Sequence, residues 1–100
     1  MELKGSQRRY LRGLANPLSS VIIIGKAGLT EAVSAAIDEA LDNHELIKIR
    51  FLEFKDSRKE LCAEIAAACH CHQVGLIGHV GIFYRANADA AKRRITLPAS

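Results

Sequence analysis

Tryptophan is absent, proline occurs only twice, and two tyrosines with three phenylalanines are all the aromatic residues. So little aromatic surface argues against a platform on which bases stack. Two prolines exclude a proline-rich linker or ligand segment. No apolar run approaches the roughly 18 residues that a membrane span needs. The start, with Lys4, Arg8 and Arg9 but no apolar stretch behind them, does not read as a signal peptide. Cysteine is scarce and odd in number: Cys62, Cys69 and Cys71 do not make a secreted disulfide framework. The expectation is a cytoplasmic protein without membrane contact.

Repeats, low-complexity tracts and linkers are also missing. What is present is a chain of 100 residues, 49% of them hydrophobic. A domain of that size buries roughly 65% of its unfolded surface and folds alone. The net charge of +3 is modest, but its distribution is polar. Residues 1–28 carry +4, residues 29–47 carry −5 with no Lys or Arg, and residues 48–100 return to +4. Basic poles suit a polyanionic partner, although charged faces also serve simply to stay solvated.

Periodicity predicts alternating helices and strands. Between Ser6 and Asn16, Tyr10, Leu11 and Leu14, continued by Leu18, form an apolar stripe, with Lys4, Arg8 and Arg12 on another face; Asn16-Pro17 stops the helix. The run "VIII" at 21–24 predicts a strand buried on both sides. From Leu29, the residues Val33, Ile37 and Leu41 mark a second helix, capped by Thr30. In "LIKIRFL" at 46–52, Ile47, Ile49 and Phe51 alternate with Lys48 and Arg50, as in a half-exposed strand. Ser57 and Glu60 predict a capping box for a third helix running to about His72. Two short strands, 74–77 and 81–85, follow as a hairpin through Gly78-His79-Val80-Gly81. The fold class is therefore α/β, a compact α-β-α-β-α-β-β domain over residues 1–86 with a four-stranded mixed sheet. Residues 87–100 are expected to be a basic tail.

The stretch "IGKAGL" at 24–29 joins the first strand to the second helix, where unpaired backbone N–H groups favour an anion. Glycine lets a backbone approach closely, and lysine adds a mobile charge. A nucleotide P-loop needs four residues between its glycines, and a dinucleotide fingerprint needs three glycines; neither is present. A short GxxG clamp on a nucleic-acid backbone fits, and so does a plain turn.

Four blocks in order, "QRRYLRGLA" at 7–15, "IGKAGLTEAV" at 24–33, "HELIKI" at 44–49 and "IGHVGIFYR" at 77–85, resemble the CRM domain, named for chloroplast RNA splicing and ribosome maturation. The likeness is to its stand-alone bacterial form, the YhbY-type RNA-binding proteins. It implies a fold similar to the C-terminal domain of translation initiation factor three. It further implies RNA as partner, in particular large-subunit ribosomal RNA or pre-ribosomal particles; the expectation is a monomer that binds without catalysis, cofactor or small-molecule substrate. On this resemblance the RNA-binding loop is Gly25, Lys26, Ala27 and Gly28, and the basic first helix contributes Arg8, Arg9 and Arg12. If the leucine face of that helix packs on the sheet, Arg8 and Arg12 are expected to face outward, near the loop.

Other features suggest other chemistry. Cys69-His70-Cys71-His72 invites a metal-binding or redox reading, but four consecutive residues point in different directions and lack the C-x₂₋₄-C spacing of structural zinc. The expectation is a buried Cys69 and exposed histidine. His44-Glu45 begins an H-E-x-x-H that position 48, a lysine, does not complete. Lys48 and Arg50 are either wet-face charges or part of an RNA surface. Lys92-Arg93-Arg94 is a polyanion candidate or a solvated tail, and the acidic second helix could make the domain a protein-docking module. No catalytic constellation emerges.

Overall fold

A computed structural model describes residues 2–53 and 56–99; Phe54, just beyond the "LIKIRFL" stretch, lies outside them. The chain runs through α1 (Gly5–Ala15), β1 (Ile22–Ile24), α2 (Glu31–His44), β2 (Leu46–Phe51), α3 (Arg58–Cys69), β3 (His72–Ile77) and β4 (Val80–Tyr84), ending with a single 3-10 turn, Ala90–Lys92. The sheet order is β1-β2-β4-β3. The β1–α2–β2 crossover makes β1 and β2 parallel, and the other pairs are antiparallel. A mixed sheet is the consequence, as the element order predicts.

Alternation along β2 assigns the faces. Ile47, Ile49 and Phe51 join Phe83 of β4 in one core under α2 and α3, with Ile37, Leu41 and Ile65 from the helices. Leu46, Ile82 and Tyr84 point the other way and pack with Leu11 and Ala15 of α1. Each fully buried aliphatic or aromatic side chain contributes roughly 1.5–3 kcal/mol relative to exposure. One helix thus covers one face of the sheet and two cover the other.

The element ends follow local chemistry. The Thr30 hydroxyl accepts the Val33 N–H at 3.2 Å and caps α2. Glu45, with φ +63°, stops the same helix, and His70, with φ +50°, stops α3. At the end of α1, Lys48 Nζ donates to the carbonyls of Asn16 at 3.1 Å and Leu18 at 3.0 Å, putting a cation where the helix dipole favours one. Lys48 is thereby structural. Gly78, at φ +58°, opens a two-residue turn with His79 between β3 and β4.

Several sequence expectations need correction. β1 is not buried on both sides: it is an edge strand, and Ile23 is 57% exposed because α1 lies over the other three strands. The apolar stripe of α1 is only partly core. Leu11 and Ala15 are buried, whereas Tyr10, Leu14 and Leu18 are exposed, since the helix packs through the face bearing positions 8, 11, 12 and 15. The Ser57 side chain makes no cap hydrogen bond, so the capping box does not form. α3 stops at Cys69, which lets β3 begin at His72, and the hairpin turn is shorter than expected.

The tail also departs from a solvated segment. Ala86, Ile95 and Leu97 pack against the α1-side core. The Asn87 N–H donates to Glu45 Oε2 at 2.7 Å, and the N–H groups of Arg94 and Ile95 donate to Glu45 Oε1 at 2.6 and 3.1 Å. Gln7 Nε2 holds the Pro98 carbonyl at 2.8 Å. A buried carboxylate fastens the tail.

Candidate nucleic-acid interface

Gly25-Lys26-Ala27-Gly28 forms the turn between β1 and α2, at the end of the sheet where Ile24 is paired with Phe51. The Gly28 N–H donates to the Gly25 carbonyl at 3.1 Å, which leaves Lys26 and Ala27 exposed at the tip. Gly28 has φ +70° and is buried, so the turn itself requires a glycine there. Gly25 differs: its φ is not positive, and a Cβ added to it would meet nothing within 4 Å. The fold does not require that glycine, but the close approach of another backbone would use the space.

Charge around the loop is uneven. Among the described residues, Lys26 has no hydrogen-bond or ion-pair partner. On one side, Lys26, Ala27, Gly28 and Leu29 share a cleft of about 470 Å³ with Ser57 and with Glu60 and Glu64 of α3. Two carboxylates there disfavour an anion. The favourable side is toward Arg50, which is exposed on β2 and stands opposite Ile23 in the parallel β1–β2 register. One strand spacing and two residue positions separate Arg50 from Gly25, roughly 8 Å. The alternation of "LIKIRFL" pointed to Arg50 as solvent-facing; the β1–β2 pairing, which places it beside the loop, is what the linear sequence withheld.

Arg58 braces the neighbouring turn. It donates to the Gly78 carbonyl at 3.0 Å and approaches His79 Nδ1 at 2.6 Å. Its Nε is buried without a partner among the described residues.

The first-helix arginines are not where the sequence places them. Arg8 and Arg12 do not face outward but lie half-buried across β3, donating to the carbonyls of Gln73 and, at 2.8 Å, Val74. A bulge between Gln73 and Gly75 interrupts the ladder there, and Gly75 leaves room for the stem of Arg12, whose Cδ would lie 2.9 Å from an added Cβ. Since β3 is the edge opposite β1, three strand spacings, roughly 14 Å, separate these side chains from the loop strand. They do not join Lys26 in one patch. Arg9 is exposed on α1.

The cysteine–histidine run disperses. Cys69 and Cys71 enter the α2–α3 core, His70 is exposed, and His72 lies on the other side of the sheet, stacked on Tyr84 with ring centroids 6.5 Å apart. Burial pushes the Cys62 thiol up to about 11 and, with the neighbouring Cys69, the Cys71 thiol up to about 12. Protonated, buried thiols are poor nucleophiles and poor metal ligands. Among the described residues, no group of three or more His, Cys, Asp or Glu converges as a metal site. Nor is any described helix long and apolar enough to cross a membrane.

Comparison with known proteins agrees with this architecture. An RNA-binding protein of Haemophilus influenzae is 38% identical over 97 residues, covering 96% of this chain and 95% of that one. A Pseudomonas aeruginosa protein named a "probable RNA-binding protein" is 35% identical over 93 residues, 92% of this chain and 89% of its own. The solution structure of a hypothetical protein from Staphylococcus aureus superposes with a TM-score of 0.82 at 37% identity, over 97% of this chain and all of that one. The sequence profile of the CRS1 / YhbY (CRM) domain matches residues 3–85, from the residues before α1 through the end of β4, and the chain belongs to that family.

Proposed function

We propose that this protein binds structured RNA by its backbone, using the Gly25–Gly28 turn, and that it acts by binding during maturation of the large ribosomal subunit. The observation that carries the reading is Lys26, standing unpaired among the described residues at the tip of a turn whose first glycine is free of any packing role. Backbone N–H groups and a mobile cation hold a phosphate without reading a base. Arg50 extends the cationic surface along β2, whereas Arg9, exposed on α1 beside Arg8, offers a separate cation away from the loop. Arg8 and Arg12 support the interface at a distance, by fixing α1 on β3. The names of the bacterial relatives support RNA as the partner. Phe51, Phe83 and Tyr84 are buried, which suits shape and backbone recognition rather than stacking.

Crosslinking in growing cells, followed by sequencing of the attached RNA, tests the proposal with Lys26→Glu as the comparison. Reads concentrated on large-subunit ribosomal RNA in the wild type and lost in the variant are expected. Reads that are diffuse or insensitive to the substitution would overturn it.

A further inference from the structure

Residues 87–95 do not behave as a free tail. Both ends of this segment are held by one carboxylate: Glu45 Oε2 accepts the Asn87 N–H, and Oε1 accepts those of Arg94 and Ile95. Asn87 Nδ2 donates to the Asp42 carbonyl at 3.1 Å, Asp89 caps the 3-10 turn through the Ala91 N–H at 3.0 Å, and Arg93 Nε closes back on the Asn87 carbonyl at 2.8 Å. The result is a compact surface loop with its ends together, carrying Lys92, Arg93 and Arg94 outward against Asp89 alone.

The nearest acids on α2 pair with a different cation, two carboxylates sharing one guanidinium. Asp38 and Asp42 are both paired to Arg85, the latter at 2.9 Å, and the same guanidinium holds the Cys69 carbonyl at 2.7 Å. Arg93 lies near enough to Glu45 to help hold its carboxyl in the charged form. Lys92 and Arg94 have no ion-pair partner among the described residues. They border a depression of about 680 Å³ between the loop and the end of α2, which Asp42 and Asp89 also line.

We infer that this clasped loop is a second contact for the RNA backbone, resting on the RNA-binding reading of the Lys26 turn and lying at the opposite end of the sheet from it. Glu45 precedes β2 and the Lys26 turn adjoins the strand end at Phe51, so the length of β2, roughly 17 Å, separates the two contacts. An RNA that engages both must reach along the whole length of β2. Holding the loop closed before binding removes an ordering cost that a free basic tail would incur.

The test is equilibrium binding to purified large-subunit ribosomal RNA across a salt series, with the wild type, Lys26→Gln, the pair Lys92→Gln with Arg94→Gln, and all three changes together. Melting temperatures serve as the folding control. The tail pair is expected to leave melting unchanged, weaken binding severalfold and flatten the salt slope by roughly 0.7–0.9 per cation removed. Its effect should add to that of Lys26→Gln in log affinity. Glu45→Gln, which keeps every cation but loosens the loop, is expected to weaken binding less. Wild-type affinity and slope in the tail pair would overturn this inference, with RNA binding itself intact if Lys26→Gln is weak. Absence of RNA binding by the wild type would instead overturn the RNA reading and this inference together.

Discussion

The carboxylate of Glu45 accepts the backbone N–H of Ile95 at 3.1 Å, fastening the residue that ends α2 to a segment 50 positions further on. Glu45 is 1% exposed and holds a left-handed backbone. Burial alone would raise its carboxyl, but three backbone donors and the nearby Arg93 charge outweigh it and hold the group below its ordinary value of 4.5. A carboxyl depressed in the folded state contributes stability that is complete above 4.5 and is lost as pH falls through the folded value. Acidification through that folded value, below 4.5, is therefore expected to release residues 87 and 94–95 before the sheet unfolds. Hydrogen exchange resolved by residue checks this: those amides should lose protection while those of β2 and β4 keep it.

Glu45→Gln reaches the same state at neutral pH. An amide in place of the carboxylate presents one acceptor and one donor to a site built for three N–H groups, so a backbone donor is left unmatched. A loss of about 1–3 kcal/mol in denaturant unfolding is expected. Stability equal to the wild type would mean that the clasp contributes nothing.

Arg12 and Gly75 should prove coupled. A Cβ at position 75 would sit 2.9 Å from Arg12 Cδ and 3.2 Å from Cγ, and Arg12 cannot swing away without giving up the Val74 carbonyl. Gly75→Ala is expected to destabilise by about 1–3 kcal/mol, as overpacking does. In an Arg12→Ala background the added methyl has space, and its cost should largely vanish. A double-mutant cycle reads the interaction directly; strict additivity would contradict it.

Much of this fold was legible because its signals are local. The β-branched run, the alternation in β2, the Thr30 cap and the Asn16-Pro17 stop each act within a few residues, and they yield the element order and the mixed sheet. Misplacements arose where a long-range partner decides. Nothing near Arg8 and Arg12 announces the bulged carbonyls of β3, so those arginines read as free charge. Isoleucines at 22–24 suit a buried strand, yet coverage depends on how far α1 reaches across the sheet. Glu45 looked like part of an acidic surface because its three donors lie 42 to 50 residues away. The loop was visible as a motif, whereas its neighbour Arg50 required the strand register.

The thiols supply a check on the core. With Cys62 raised to about 11 and Cys71 to about 12, both stay protonated at neutral pH inside the α2–α3 layer. Reaction with a thiol reagent is expected to be slow in buffer and complete in denaturant, its rate following the opening of the core. Rapid labelling of the folded protein would contradict the placement of these side chains.

The two glycines of the turn give the sharpest separation of binding from folding. At Gly28, φ is +70°, a conformation that costs an L-residue roughly 1–2 kcal/mol, so Gly28→Ala should lower stability by about that amount. At Gly25 the backbone is ordinary and an added methyl meets nothing within 4 Å, so Gly25→Ala should leave melting unchanged. If an RNA backbone occupies that space, the same methyl obstructs it, and affinity should fall as it does for Lys26→Gln. Arg12→Ala is expected to do the reverse, reducing stability through the lost Val74 contact while the affinity of the folded fraction is retained. Paired thermal melts and RNA titrations of these variants distinguish a ligand-bearing turn from a plain one. Full affinity in Gly25→Ala would show that the space at position 25 is not where the RNA backbone lies.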